Sequence, residues 1–566
     1  MSRQTLCLAA VLLAGAWSPL AGHVADLTRE EMIGLASHIV VARVIERETR
    51  WNEQRTLIVT EYTLAVERSL KGGPPTLSHI VIPGGTLDGE THDTCLSVEL
   101  APEARYLLFL EDLERPSMTP LLGAWQGVFR EIPNKVGRPG VGVGPQAEPV
   151  LTQDGRQIAF EDFVNAMAEV VRSVGPLRKG VAGQPLDQGL PAKLYDPIAM
   201  PSDSFTREPQ PAPAGGPPPP ADRAVFVAEP FQSPGRSLTP GQKYVYQNRP
   251  PAPIVVSQLP RGSSFSPVDE NQLAFWNKYG KNLFRVYANP PNTWAFGNGI
   301  FDIAGFPSNS TMIQQFGQGW GSDTLGVTWT RVSGSRIIEA DIAFNPAFSW
   351  TTDQSLGTHR TNSLQSFNQT MLHEAGHAWG LKHPWATQNV WWDSVMNYAP
   401  KSYRVAVLFT DDTNAVRKAY PGLKLRDALI SSYSTADGPF DSHAVYTPAV
   451  PSPRSVSPGG SFSILNPIKI ENAGVGNIVN PSFEIYLTPR RFSWDRAIFL
   501  GTVRTNVTIK PFFTQRFSIS SLPWTVPRGT PPGTYFLGFF IRDPKDRAQE
   551  NNSSWSNSDV TVVVSP

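Results

Sequence analysis

Near the N-terminus, residues 38–45, 57–66 and 106–110 are rich in β-branched, aromatic and leucine residues and are bounded by turn formers, the pattern of buried or half-buried strands. They predict a β-rich N-terminal domain over residues 26–175, built as a small barrel or sandwich. A helix closes it, because Phe160, Phe163, Val164, Met167, Val170, Val171 and Val174 fall on one helical face. Strand patterns return in residues 461–464, 483–487 and 534–541, separated by turns at regular intervals. Residues 423–566 are therefore expected to form an immunoglobulin-like β-sandwich. Between residues 176 and 249 the pattern gives way to proline, glycine and small polar residues, including Gly215-Gly216-Pro217-Pro218-Pro219-Pro220, which reads as an extended linker.

Residues 250–422 carry both strand and helix signals. Strand-like Ile254-Val255-Val256 is followed by a helix start with Ser266 as N-cap, Pro267 at the first position and Asp269 in the first turn. Residues 338–345 alternate apolar and polar positions, as a half-exposed strand does. Phe367, Met371, Leu372 and Ala375 are spaced to bury one side of a helix. A last helix is expected from Thr410 as N-cap, with aspartates in its first turn and Arg417 and Lys418 in its last.

The chemistry lies in the run His373-Glu374-Ala375-Gly376-His377-Ala378-Trp379-Gly380-Leu381-Lys382-His383. His373 and His377 stand one helical turn apart on one face, which suits two nitrogen ligands of a tetrahedral Zn²⁺. Gly380, tolerant of positive φ, can end the helix and turn the chain, so that His383 returns as third ligand. Glu374 follows the first ligand directly, within reach of an activated water. The chain has nine histidines, three of them within these eleven residues. The alternative is a cluster of ordinary solvent-exposed histidines.

This run, with Met396 following in Ser394-Val395-Met396-Asn397-Tyr398, resembles the metzincin zinc endopeptidases, whose extended histidine motif and methionine turn it matches. The resemblance covers residues 254–422 and implies an α+β catalytic domain over residues 250–422, a twisted mixed sheet with an active-site helix. It implies one catalytic Zn²⁺ on His373, His377 and His383, Glu374 as general base, and Met396 packed beneath the site rather than bound to metal. Residues 339–345 are similar to a matrixin strand, here read as an edge strand that takes an extended substrate at Ala340 and Ile342 by strand addition. Pro384 departs from the matrixin pattern. Tyr398 is placed as in astacin-like and serralysin-like enzymes, where a tyrosine can contact zinc; the other reading is an aromatic packed under the turn. Trp379, Trp385, Trp391 and Trp392 read as packing around the third histidine, with a subsite role for one of them as the alternative.

The remaining features set the context. With 49 basic and 49 acidic residues the chain is formally neutral, which suggests neither a nucleic-acid nor a membrane-surface partner. Arg3 followed by the apolar run 6–16 and small residues reads as a secretory signal peptide over residues 1–25, with no transmembrane segment, so the protein is expected to be extracellular or periplasmic. Removal of that segment leaves Cys95 as the only cysteine, which excludes an internal disulfide framework. Cys95 reads either as a small strand residue or as a zinc-ligating switch cysteine, although Thr91-His92-Asp93-Thr94-Cys95-Leu96 does not match the matrixin propeptide motif. The N-terminal domain is read either as a prodomain or as a passive accessory module. Residues 470–474 and 550–554 resemble bacterial cell-adhesion-related sandwich domains, which implies cell-surface or matrix contact. Asp543 and Asp546 form a pair of the kind that binds Ca²⁺, but read better as a solvated turn. The expected function is a secreted zinc endopeptidase acting on proteins or peptides. The competing reading is an adhesion or binding protein whose zinc site is structural or silent.

Overall fold

The computed structural model describes residues 27, 29–73, 77–94, 96–114, 117–118, 120–133, 139–143, 148–149, 157–173, 226–227, 231–232, 273, 275–279, 296–299, 301, 303–334, 336–351, 365–383, 394–396, 407–419, 425–435, 446–548, 551–556 and 561–565. The expected signal peptide, the strand at Ile254 and the helix start at Ser266 lie outside them. No described helix is long and apolar enough to cross a membrane.

The N-terminal part contains helix α1 (Arg29–Leu35) and strands β1 (His38–Trp51), β2 (Ile58–Lys71), β3 (Leu77–Pro83), β4 (Gly85–Leu87), β5 (Glu90–Thr94), β6 (Arg105–Leu110), β7 (Val128–Pro133), β8 (Pro139–Val143) and β9 (Glu148–Pro149), then helix α2 (Phe160–Ser173). Seven of these strands form one sheet in the order β3-β2-β1-β6-β7-β8-β9, rather than a barrel or sandwich. The pleat sorts the side chains. Ile39, Val41, Leu107 and Phe109 join a core with Met32 of α1 and with Phe160, Phe163, Val164 and Met167 of α2, as the helical period predicts.

Two strands leave this sheet. β4 and β5 extend a second, five-stranded sheet of order β12-β14-β13-β5-β4, with β12 (Ile303–Gly305), β13 (Gly326–Ser333) and β14 (Arg336–Phe344). Between β12 and β13 runs helix α3 (Asn309–Phe316), capped by Ser308 and ended by Gly317 at φ +72°. The opposite face of the first sheet, with Val40, Ala42, Val44, Leu108 and Leu110, shares one core with Phe296, Met312, Phe316, Val327 and Trp329. Phe316 and Trp329 stack there at 4.4 Å. Each such side chain contributes about 1.5–3 kcal/mol by its burial, so this shared core joins the two parts expected as separate domains.

Beyond the histidine motif, the strands of residues 425–565 form two principal sheets around a common core that includes Ile470, Phe483, Ile485, Phe517, Leu537 and Phe539. One centres on Ile468–Asn472, paired with Ala428–Ser431 and Phe513–Ser518; the other on Ser482–Thr488, paired with Ile498–Arg504 and Gly533–Arg542. Two sheets around one core make this part a β-sandwich, the coarser part of the expectation. The proline-rich segment is not wholly a spacer: β10 (Phe226–Val227) and β11 (Phe231–Gln232) both pair with Phe513–Ser518. The sandwich also meets the central part through buried polar contacts. Tyr279 Oη donates to Asp427 Oδ2 at 2.6 Å, and Glu471, paired with the buried Lys469 at 2.6 Å, accepts from Thr410 N at 3.3 Å.

Candidate metal centre

Helix α4 (Phe367–Ala378) carries the motif. Ser366 caps it, accepting from Gln369 N at 3.4 Å. All twelve of its residues are buried, not one side only. β13 and β14 pack on one flank. On the other lie Met396 and Trp276, whose Nε1 donates to Leu372 O at 2.8 Å. Gly376 is required at this crossing: an added Cβ would run into Met396 Sδ and stand 2.7 Å from Trp276 Cζ2. The helix ends as its sequence predicts. Gly380 has φ +84°, Gly380 N donates to His377 O at 2.7 Å and Leu381 N to Gly376 O at 3.1 Å, the paired bonds of a Schellman motif.

That turn brings the three imidazoles together. The Nε2 atoms of His373, His377 and His383 lie 3.0–3.1 Å apart, the one such group among the described residues. His373 Nδ1 donates to Val395 O at 2.5 Å and His377 Nδ1 to Leu381 O at 2.7 Å. A proton on each Nδ1 leaves Nε2 as a bare lone pair. The short Nε2 separations are therefore not hydrogen bonds between these two rings. Converging lone pairs repel one another and suit a cation. Ligand nitrogens on one tetrahedral zinc stand about 3.3 Å apart, within a few tenths of an ångström of this spacing, so the donor set fits such an ion.

Glu374 points from the same helix toward β13. Its Oε2 accepts from Thr328 Oγ1 at 2.5 Å, and a Cβ on Gly326 would lie 2.7 Å from its Oε1. Burial pushes the carboxyl up to about 8, against the pull of His377 and of the Thr328 hydrogen bond. Thr328 and Gly326 were not singled out by the sequence reading; their signal is only that a strand with small residues precedes the motif.

Asp412 is the other residue that reading missed, beyond a place in a first helical turn. From α5 (Thr410–Ala419) its carboxylate accepts from Ser394 Oγ, from Val395 N at 2.8 Å and from Phe409 N at 2.9 Å. It thereby fixes the turn whose Val395 carbonyl orients His373. Burial pushes this carboxyl up to about 7 despite those donors. The same contacts move the helix cap: Phe409 O accepts the first helical bond, from Thr413 N, and Asp412 reaches back to Phe409 N. The N-cap is thus one residue before Thr410. Met396 is fully buried in the core under the histidines.

β14 is an edge strand only in part. β13 pairs along its whole length, with Thr328 opposite Ile342 and Thr330 opposite Ala340, whereas β12 pairs on the other side at Ile342 and Ala343 and covers the edge there. Nor does its burial alternate as expected: Ile338 is exposed, whereas Glu339, Ala340, Asp341, Ile342, Ala343 and Phe344 are all buried, because both faces of the sheet are covered there. Asp543 accepts from Arg426 Nε at 2.6 Å and Asp546 from Ala428 N at 2.9 Å, so these carboxylates tie strands together rather than forming an exposed turn. Trp379 is buried packing. Tyr398, Cys95, Pro384, Trp385, Trp391 and Trp392 lie outside the described residues.

No protein family and no curated protein matches the chain. Among solved structures it is similar to the crystal structure of a CARDB domain from Pyrococcus furiosus in complex with di-metal ions, at 11% identity, 25% of this chain, 91% of that one and a TM-score of 0.16. It is similar also to the solution structure of that domain, at 12% identity, 25% and 97% coverage and a TM-score of 0.15. These likenesses are too distant to bear on the histidine site.

Proposed function

We propose that the chain is an exported zinc endopeptidase, hydrolysing proteins or peptides at a metzincin-like centre formed by His373, His377, His383 and Glu374. The observation that carries this reading is the convergence of three imidazole Nε2 atoms beside a buried carboxylate on the helix that carries two of them. Zn²⁺ held by the three imidazoles would supply Lewis-acid chemistry, polarising a carbonyl and acidifying water. The chain's own residues do the rest. Val395 O and Leu381 O hold the tautomers of His373 and His377. Thr328 Oγ1 holds the Glu374 carboxylate. A neighbouring divalent charge favours its ionised form, which accepts a proton from water and returns it to the leaving amine. The low-dielectric surroundings strengthen each of these interactions.

The competing reading, a binding protein with a silent zinc site, draws on the complete burial of Glu374. Glu374→Gln separates the two. In the peptidase, chelator-sensitive casein cleavage falls at least about a hundredfold, the scale of a lost general base, while one equivalent of zinc stays bound. Wild-type protein that binds zinc stoichiometrically yet cleaves neither casein nor gelatin would support the silent site instead.

A further inference from the structure

The N-terminal part contributes directly to the metal-site neighbourhood. β5 pairs antiparallel with β13 over five residue pairs, Thr94 opposite Trp329 through Glu90 opposite Ser333. A half-buried polar chain crosses the same seam. Glu90 Oε1 accepts from Arg331 Nε at 2.8 Å, Arg331 Nη1 donates to Glu339 Oε2 at 2.9 Å, and Glu339 Oε1 accepts from Gly297 N at 2.7 Å. His92 stands beside it, its Nδ1 accepting from Ile58 N at 3.0 Å. At the end nearest the histidines, Asp93 forms an ion pair with Lys382, the residue before His383. Asp93 and Thr94 line one small cleft together with Thr328, His377, Gly380 and Lys382.

We propose that residues 27–173 are a permanent half of the metal-binding unit rather than a removable prodomain, and that Asp93 is a positioning residue for the loop carrying His383. A removable segment would leave a complete sheet and core behind. Here its departure would strip β4 and β5 from the five-stranded sheet, expose Trp329 and Val327 from a shared core, and leave Arg331 and Lys382 without their partners on β5. Cutting the chain in the proline-rich segment therefore should not separate the two sides. The inference rests on the metal reading of the triad, but its first test does not use hydrolysis.

The test uses the full chain with a site-specific protease sequence inserted between Gly215 and Gly216. After complete cutting, the two fragments are expected to co-elute, to keep one equivalent of zinc and to melt in one transition. An N-terminal fragment that elutes alone, leaving a folded, zinc-bound remainder, would overturn the proposal. Co-elution is read whether or not the protein cleaves casein, so a failed peptidase reading would not obscure it. For Asp93, competition with a chromophoric chelator should show zinc bound about tenfold more weakly in Asp93→Asn, the lower end for outer-shell partners of a metal ligand. Asp93→Glu should recover part of the loss, and Asp93→Lys combined with Lys382→Asp should bind better than either single change. Unchanged zinc affinity in Asp93→Asn, or additive losses in the double variant, would remove the positioning role.

Discussion

Gly376 sits between the first two histidines, where α4 crosses Met396 and Trp276 with no room for a methyl group. Gly376→Ala is expected to destabilise the fold by about 1–3 kcal/mol, the usual cost of overpacking, and to weaken zinc binding by displacing α4 from the methionine turn. Urea unfolding and chelator competition read these two effects, and unchanged stability would contradict the packing. Asp323 supports a prediction about pH. It is buried, its Oδ2 accepts from Gly123 N at 2.6 Å, and burial, reinforced by the negative charge of Glu111, pushes it up to about 8. Its unfolded value is about 3.9, so between about pH 4 and 8 the folded state binds more protons than the unfolded one. Its contribution to stability is therefore complete below about pH 4 and is lost as pH rises toward 8. Asp323→Asn keeps an acceptor for Gly123 N and removes the charge; its stability should fall less than wild type between pH 5 and pH 9 in denaturant titrations. Equal slopes would show that Asp323 does not titrate as described.

At the scale of elements, much of what the site needs was legible. The i, i+4 histidines and the glycine at the helix end carry their geometry in their spacing, and α4 ends in the expected left-handed turn at Gly380. Gly380→Ala would force an alanine into that conformation at about 1–2 kcal/mol and move His383 with it. What periodicity could not reveal was the company each element keeps. The alternation in residues 338–345 reads as a half-exposed strand, yet Glu339 and Asp341 are buried because Arg331 and other partners satisfy polar groups inside a sheet covered on both faces. Asp412 looked like a charge favouring a helix N-terminus, and its long-range role depends on the turn at Ser394–Met396 folding back onto it. Asp412→Ala should cost about 3–5 kcal/mol, since the buried donors of Ser394, Val395 and Phe409 lose their acceptor at about 1–3 kcal/mol each, and should lower zinc affinity roughly 10–100-fold through His373. Thermal melting with and without zinc would reveal both losses, and a melting temperature equal to wild type would contradict the role.

At the scale of the whole molecule, strand content was legible but its distribution among sheets was not. Local alternation says that residues 90–94 can be a strand; it does not say that β5 joins a partner more than two hundred residues later. The same holds for β10 and β11, which stand in a proline-rich stretch and pair with the C-terminal sandwich. The resulting architecture places the histidine helix against a sheet built from both halves of the chain, with Asp93 and Thr94 at the rim of the cleft and the sandwich bracing α5 from behind. The most direct test of the central claim is a zinc titration of chelator-stripped full-length protein while casein cleavage is followed. Activity should rise linearly and break at one equivalent of zinc, and the triple variant of His373, His377 and His383 to alanine should neither bind the ion nor cleave. Cleavage that persists in the stripped protein, or that is indifferent to loss of the three histidines, would contradict the account.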